Sequence, residues 1–362
     1  VSIAQIRRWR IQPSEAPLTE TRRNALTLLT GAMAAGALAA CGPRVNHQPA
    51  KRGLLDVQRL NREFPALAAR AAPGRFNLGV LSMAGDHVWE ADSESRYPMA
   101  GLSMLPVAAA ALGEVDAGRM KLGEPITIRA IDLSTPPSLI GATFKGDTAL
   151  PAIDLIALAI QHGDNTAADV ILSRIGGPGI VGAWLEAKDI PGMRVDRYTR
   201  EIATGMLGMP SFRPAWRTQS AFDAARALVP PATREAALQA YLRDPRDTTT
   251  APAAMSFLNR LSDGRLLSPA STRLLLGLMT RSVAPIDGFA PALPAGATLA
   301  KKTATTRADL GVTPVTNEVG LVTLKDGKHM AIVAFLAGST ATAAERSQLM
   351  MDAGSLVFRS YG

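Results

Sequence analysis

The C-terminal part of the chain allows few architectures. Three apolar, β-branched runs follow one another there: "ATLAKKTAT" (297–305), "TNEVGLVTLKDG" (316–327) and "KHMAIVAFLAG" (328–338). Each has the composition of a strand, and Lys325-Asp326-Gly327-Lys328 supplies a hairpin turn between the last two. The amphipathic run "ATAAERSQLMMDAGSLVFRSY" (341–361) then gives a terminal helix. At the other end, Leu54, Val57, Leu60, Phe64 and Leu67 have helical spacing, and "FNLGVLSM" and "HVWEADSE" follow as two strands around Ala84-Gly85-Asp86. The middle is helical: "MLPVAAAALGEVDAG", "PAIDLIALAIQHG" and "NTAADVILSRIGG" each close on a glycine suited to a helix C-cap. Strands at both ends with helices between them predict an α+β fold. One antiparallel sheet is formed by the N- and C-terminal strands, flanked by helices, with an all-helical middle region at about 100–290.

The first residues are read as a targeting segment rather than as fold. Residues 21–42, "TRRNALTLLTGAMAAGALAACG", join the Arg22-Arg23 pair to an apolar run of signal length that ends in small residues before Cys41. The arginine pair resembles a twin-arginine signal, and "LAAC" resembles the lipobox at which bacterial lipoproteins are cleaved and acylated. The expected organisation is an export signal at 1–41, lipidated at Cys41, a tether at 42–53 and a domain at 54–362. This places the protein in the periplasm or cell envelope, anchored to the membrane by lipid.

At 362 residues and 47% apolar composition the chain can bury a large core. Its net charge of +8 is spread along the sequence, without the basic–aromatic tract that a nucleic-acid surface needs. One cysteine forms no internal disulfide, and four histidines without ligand spacing give no support for a metal. No cofactor is implied.

Six segments occur in an informative order: "VDAGRMKLGEPITI" (115–128), "GDNTAADVIL" (163–172), "RVDRYTREI" (194–202), "DPRDTTTAPAAM" (244–255), "AKKTATT" (300–306) and "TNEVGLVTL" (316–324). In this order, and with the helix–hairpin start and three-strand end, the chain from Leu54 onward resembles the class A serine β-lactamases. That resemblance implies a Ser-x-x-Lys pair at a helix start, a Ser-Asp-Asn loop, a general-base Glu and a Lys-Thr-Gly strand. The serine needs a proton acceptor one helical turn away, the Glu holds the deacylating water, and backbone N–H groups stabilise the oxyanion.

Position by position, the chemistry is missing. Gly101 stands at the nucleophile position and Met104 at that of its lysine, while Gly163-Asp164-Asn165 replaces Ser-Asp-Asn. The general-base position falls on Thr199, and the polar position four residues on falls on Ala203. Lys302-Thr303-Ala304 keeps the cation and hydroxyl that would meet a substrate carboxylate. Ser103 is no substitute, because it lies about 200° round the helix from Gly101. Met104 also removes the desolvation cost of a buried ammonium, so the fold should survive the losses.

The resemblance therefore implies a non-catalytic homologue, binding a β-lactam, a peptidoglycan fragment or a protein partner through Lys302, Thr303, Asp164 and Asn165. A residual hydrolase with a rebuilt site and a purely structural envelope lipoprotein are the alternatives. The 103 residues from Thr199 to Lys302 exceed the usual spacing by roughly a third, which places an insertion at about 205–243. A tolerated surface insertion is the plainer expectation, and a lid or partner surface the other.

Overall fold

Strands β1 (Arg75–Ser82), β2 (His87–Glu90), β7 (Thr298–Thr305), β8 (Thr313–Thr323) and β9 (His329–Ser339) form one antiparallel sheet in the order β2-β1-β9-β8-β7. The computed structural model describes residues 55–83, 87–283 and 288–361, which belong to one compact unit, Gly53–Gly362. The export signal with Arg22-Arg23, Cys41 and the tether lie outside the described residues. The N-terminal hairpin docks on the last strand, with Leu78 opposite Ala334 and Val80 opposite Ile332. The expected sheet of N- and C-terminal strands is therefore the one observed.

Period-2 alternation sends each face of β9 into a different core. Met330, Ile332, Ala334 and Leu336 pack with Leu60 of α1 (Val57–Ala69) and with Leu349, Met350, Ala353 and Leu356 of the C-terminal helix, Ala343–Arg359. Ala331, Val333, Phe335 and Ala337 face the helical side. The centre of that side is α2 (Met104–Asp116), in which every residue from Met104 to Leu112 is buried. Around it lie α3 (Leu139–Thr143), α4 (Ala152–His162), α5 (Asn165–Arg174), α6 (Pro178–Ala187), α10 (Ala251–Ser262) and α11 (Pro269–Thr280). The C-terminal helix, α12, starts at a capping box in which Thr342 and Glu345 bond each other's backbone N–H groups.

Two short ribbons were not expected. β4 (Pro125–Ile128) pairs with β5 (Thr148–Pro151), and β3 (Tyr97–Pro98) with β6 (Thr248–Thr249). The second ends, at Thr248, beside the neck of a long loop, where the Arg194 N–H donates to Thr248 O at 2.9 Å. There the Asp247 carboxylate accepts from the backbone N–H groups of Asp196 (2.7 Å) and Arg197 (3.0 Å) and from Arg197 Nε (2.6 Å). The Asp247 N–H in turn donates to Asp196 Oδ2 at 2.8 Å.

Between the two sides of this neck the chain forms α7 (Thr199–Gly205), then an arm containing α8 (Gln219–Ala227) and α9 (Pro231–Tyr241). The arm is built into the molecule. Leu238 and Tyr241 of α9 are buried with Ile202 and Met206 and with Val315 of β8. Arg226 and Arg234 both ion-pair with Asp309 in the β7–β8 connection, and Arg307 pairs with Asp223 at 2.6 Å. On its other side the arm reaches α3, where a Cβ on Gly141 would stand 3.2 Å from the Arg217 carbonyl oxygen. The simple surface insertion gives way to a packed element, because α9 supplies apolar side chains that the end of the sheet would otherwise expose.

Asp247 is 1% exposed, so Asp247→Ala leaves Arg197 and two backbone N–H groups without their acceptor. A loss of about 3 kcal/mol is expected, read as a lower urea midpoint with an unchanged m-value.

Candidate functional site: a cleft between the sheet edge and the helical side

Gly101, Gly163 and Lys302, which the resemblance sets at catalytic and binding positions, lie between β7, the start of α2 and the α4–α5 turn. Gly101 lies in a short 3-10 turn, Ala100–Ser103, that leads into α2. Ala100 has φ +47°, a left-handed conformation that a residue with a Cβ adopts only under constraint. Its side chain packs against the Ile202–Met206–Leu238–Tyr241 cluster, so the arm and α7 help to hold this turn. A Cβ on Gly101 would stand 3.5 Å from Ala304 Cβ, an ordinary contact, which orients position 101 toward β7. Met104, one turn on, is 2% exposed within the apolar core.

Lys302 enters the same region from β7 and is 3% exposed. Its ammonium donates to the carbonyl oxygens of Ala159 (3.0 Å) and Ile160 (3.2 Å) near the C-terminus of α4. Cations are favoured at that end of a helix, where carbonyls lack intrahelical donors. Burial nevertheless lowers the Lys302 pKa from 10.5 to about 8. His162, which ends α4, is likewise held below its ordinary value, by its own burial first, with Asp164 opposing and Lys302 adding to the effect.

Gly163 closes α4 with φ +63°, a left-handed C-cap in which its N–H bonds Leu158 O. A Cβ there would stand 3.8 Å from Lys302 Nζ, so the position faces the cleft. Asp164 is turned into the protein. It caps α5 through the Ala167 N–H (2.9 Å) and accepts from Ser138 Oγ (2.9 Å) and the Ile140 N–H (3.1 Å), while burial raises its pKa. Asn165 Nδ2 donates to Thr135 O at 3.1 Å. Both side chains tie the α4–α5 turn to the 133–140 segment.

Thr199 opens α7 through a carboxylate that sequence reasoning missed. Asp169 accepts from the Thr199 N–H (2.6 Å), the Arg200 N–H (3.1 Å) and Ser134 Oγ (2.7 Å). It is fully buried, and desolvation raises its pKa against these donors. Thirty residues separate the partners, so no local pattern in the sequence could reveal the pairing.

Alternation along β7 separates Lys302 from Thr303. Lys302 and Ala304 face the helical side, whereas Thr303 pairs across the ladder with Glu318 on the other face. Lys301 Nζ lies 3.6 Å from Glu318 Oε1, and burial pushes the Glu318 carboxyl up to about 7. On Thr303's face, the adjacent cross-strand pair Thr305–Thr316 has buried hydroxyls without hydrogen-bond partners among the described residues. β7 is also the sheet's edge strand. Because Thr306 N donates to Val315 O, the antiparallel alternation puts the Thr305 N–H on the free edge. The Gly101 N–H, in the first turn of its helix, has no intrahelical acceptor.

The β-lactamase enzyme family matches residues 59–361. The chain belongs to that family. It is 22% identical over 293 residues to β-lactamase VEB-1 of Pseudomonas aeruginosa, covering 81% of this chain and 87% of that one. It is 23% identical over 273 residues to the extended-spectrum β-lactamase PER-1 of the same organism, covering 72% and 77%. Among solved structures, an ancestral class A β-lactamase superposes with TM-score 0.65 at 25% identity over 83% of this chain and 99% of that one. A β-lactamase from Chitinophaga pinensis superposes with TM-score 0.68 at 24% identity over 83% and 98%. The class A β-lactamase-like architecture is thus the fold of this chain. Among the described residues no His, Cys, Asp and Glu side chains gather into a possible metal site, and no helix is long and apolar enough to cross a membrane.

The buried lysine makes stability depend on pH in a defined direction. Its folded pKa of about 8 lies below the unfolded 10.5, so between these values the unfolded state binds more protons and stability rises with pH. Relative to Lys302→Met, the wild type should gain up to about 3 kcal/mol across that window, measured by urea denaturation at successive pH values.

Proposed function

We propose that this β-lactamase-family protein binds in its cleft without hydrolysing, and that its ligand is a β-lactam or a peptidoglycan fragment. The observation that carries the reading is the pair Gly101 and Met104. Position 101 stands against Ala304 without a hydroxyl, and the residue one turn on is a buried thioether that accepts no proton. Thr199 adds no carboxylate to hold a water. Without nucleophile or base, most of the usual lowering of the barrier has no source.

Binding has more support than chemistry. The N–H groups of Gly101 and Thr305 offer donors to a carbonyl or carboxylate oxygen. Lys302 can bring one further N–H to an anion, since two of its three donors already meet carbonyls. The structural reading draws on the same lysine: an ammonium held by Ala159 and Ile160 also serves simply to lock α4 onto β7. Export and lipid anchoring through Cys41 belong to the proposal. Cys41→Ser is expected to move the protein from the membrane fraction to the soluble envelope fraction.

Intact-mass spectrometry after incubation with a reactive penicillin tests the absence of acylation, and no penicilloyl adduct is expected. A stable adduct near Gly101 would overturn the reading. Gly101→Ser with Met104→Lys should give a slowly formed, trapped acyl-enzyme, since a Cβ fits at position 101. Turnover should require Thr199→Glu as well. A melting screen with β-lactams and muropeptides tests binding: a ligand at a hundred times its Kd raises stability by about 2.7 kcal/mol. If no ligand shifts the wild type, the structural reading replaces the binding one.

A further inference from the structure

At the far end of α2 from Gly101, about 20 Å along the helix, a shallow, solvent-open depression of about 380 Å³ lies between the last turn of α2, the end of α6 and the turn from Gly264 to Ser268. Such a depression has room for one ring of a longer ligand whose remainder stays in water. Its wall is built with some care for rigidity. The Trp184 indole lies against Gly113, where a Cβ would stand only 2.7 Å from Nε1, so the helix carries a glycine at the position the indole crosses. Asp116 fixes the opposite turn, accepting from Ser268 N–H (2.7 Å), Ser268 Oγ (2.6 Å) and Ser271 Oγ (2.6 Å). Arg119 grips Glu114 with two bonds, at 2.6 and 2.7 Å. Lys188 Nζ lies 5.9 Å from the centre of the Trp184 ring.

The chemistry of this lining restricts its ligand. Glu114 and Asp116 present acceptors only, while Arg119 and Lys188 present donors only. A phosphate or carboxylate ligand would meet two carboxylates, and an apolar ligand would strip water from charges without replacing it. A hydroxyl both donates and accepts, so several hydroxyls on one ring satisfy the mixed lining, and the apolar face of such a ring packs on the indole. We propose that the depression bounded by Trp184, Glu114, Asp116, Arg119, Lys188 and Ser268 is a binding site for a neutral sugar ring, separate from the Gly101 cleft.

The test is calorimetric titration of the mature protein with cellotetraose and with the tetramer of N-acetylglucosamine, followed in parallel by the Trp184 indole N–H resonance in NMR. Saturable millimolar binding of one or both, with movement of that resonance, is expected, and oligogalacturonate, an acidic counterpart, should bind at least about tenfold more weakly. Trp184→Ala should weaken binding at least about tenfold. Lys188→Glu leaves the indole on Gly113 and should weaken it several-fold, which keeps the test decisive if the tryptophan variant does not fold. Lys328→Ala, an exposed change in the β8–β9 turn outside both sites, should bind as the wild type does. Absence of saturable binding by both neutral tetramers, an unmoved Trp184 resonance, unchanged affinity in Lys188→Glu, or a matching loss in Lys328→Ala would each overturn the proposal.

Discussion

The strand β9 sets the terms for the rest of the molecule. A strand buried on both faces must be apolar at nearly every position, and two separate layers must cover it. Here α1 and α12 cover one face and the helical side the other. The chain's first and last segments are therefore needed together for the first of these layers, since Leu60 and Leu356 meet over the same strand residues. The helical side, by contrast, comes almost wholly from the middle of the sequence. The cleft lies between the helical side and β7, the edge strand, so that groups from distant segments face one another across it.

The residues that the resemblance sets at catalytic positions form a consistent set in physical terms. Lys302 remains a buried cation, and a second ammonium at 104 would add like charge and desolvation to the same region. Met104 leaves an apolar α2 of nine consecutive buried residues instead. Gly163 suits the left-handed cap it occupies, and Gly101 sits beside a residue already held at positive φ. Ala100 adopts that strained backbone with no hydroxyl following it. The packing of its side chain against α7 and the arm accounts for how the conformation is held.

Much of this was legible in the sequence, and the boundary has physical causes. The strands of the main sheet and the flanking helices carry period-2 and helical patterns strong enough to read directly, and the C-cap role of Gly163 followed from its place after an apolar helix. β4 and β5 were missed because they form a short, partly exposed ribbon with weak alternation and a proline at an end of each. The resemblance placed Gly101, Met104 and Lys302 in one region. It did not show that the Lys302 ammonium is engaged by Ala159 and Ile160, because backbone carbonyls have no sequence signature. The resemblance set Thr303 with Lys302 as a cation and hydroxyl acting together, whereas neighbours on a strand project to opposite faces. Asp169 and Asp309 were invisible for a related reason: each acts on groups many residues away.

The neck at Arg197 and Asp247 has a consequence for how this chain can change over time. The clasp brings the two ends of the loop together, so residues added or lost in its exposed turns, such as the one around Leu228, change the cost of closure only slightly. The packed part of the arm has no such freedom, because Leu238 and Tyr241 cover Val315 while Arg226 and Arg234 hold Asp309. The neck and α9 together thus act as a bracket. They confine variation in length to the stretches between these anchors and leave the register of β7, β8 and β9 as it is.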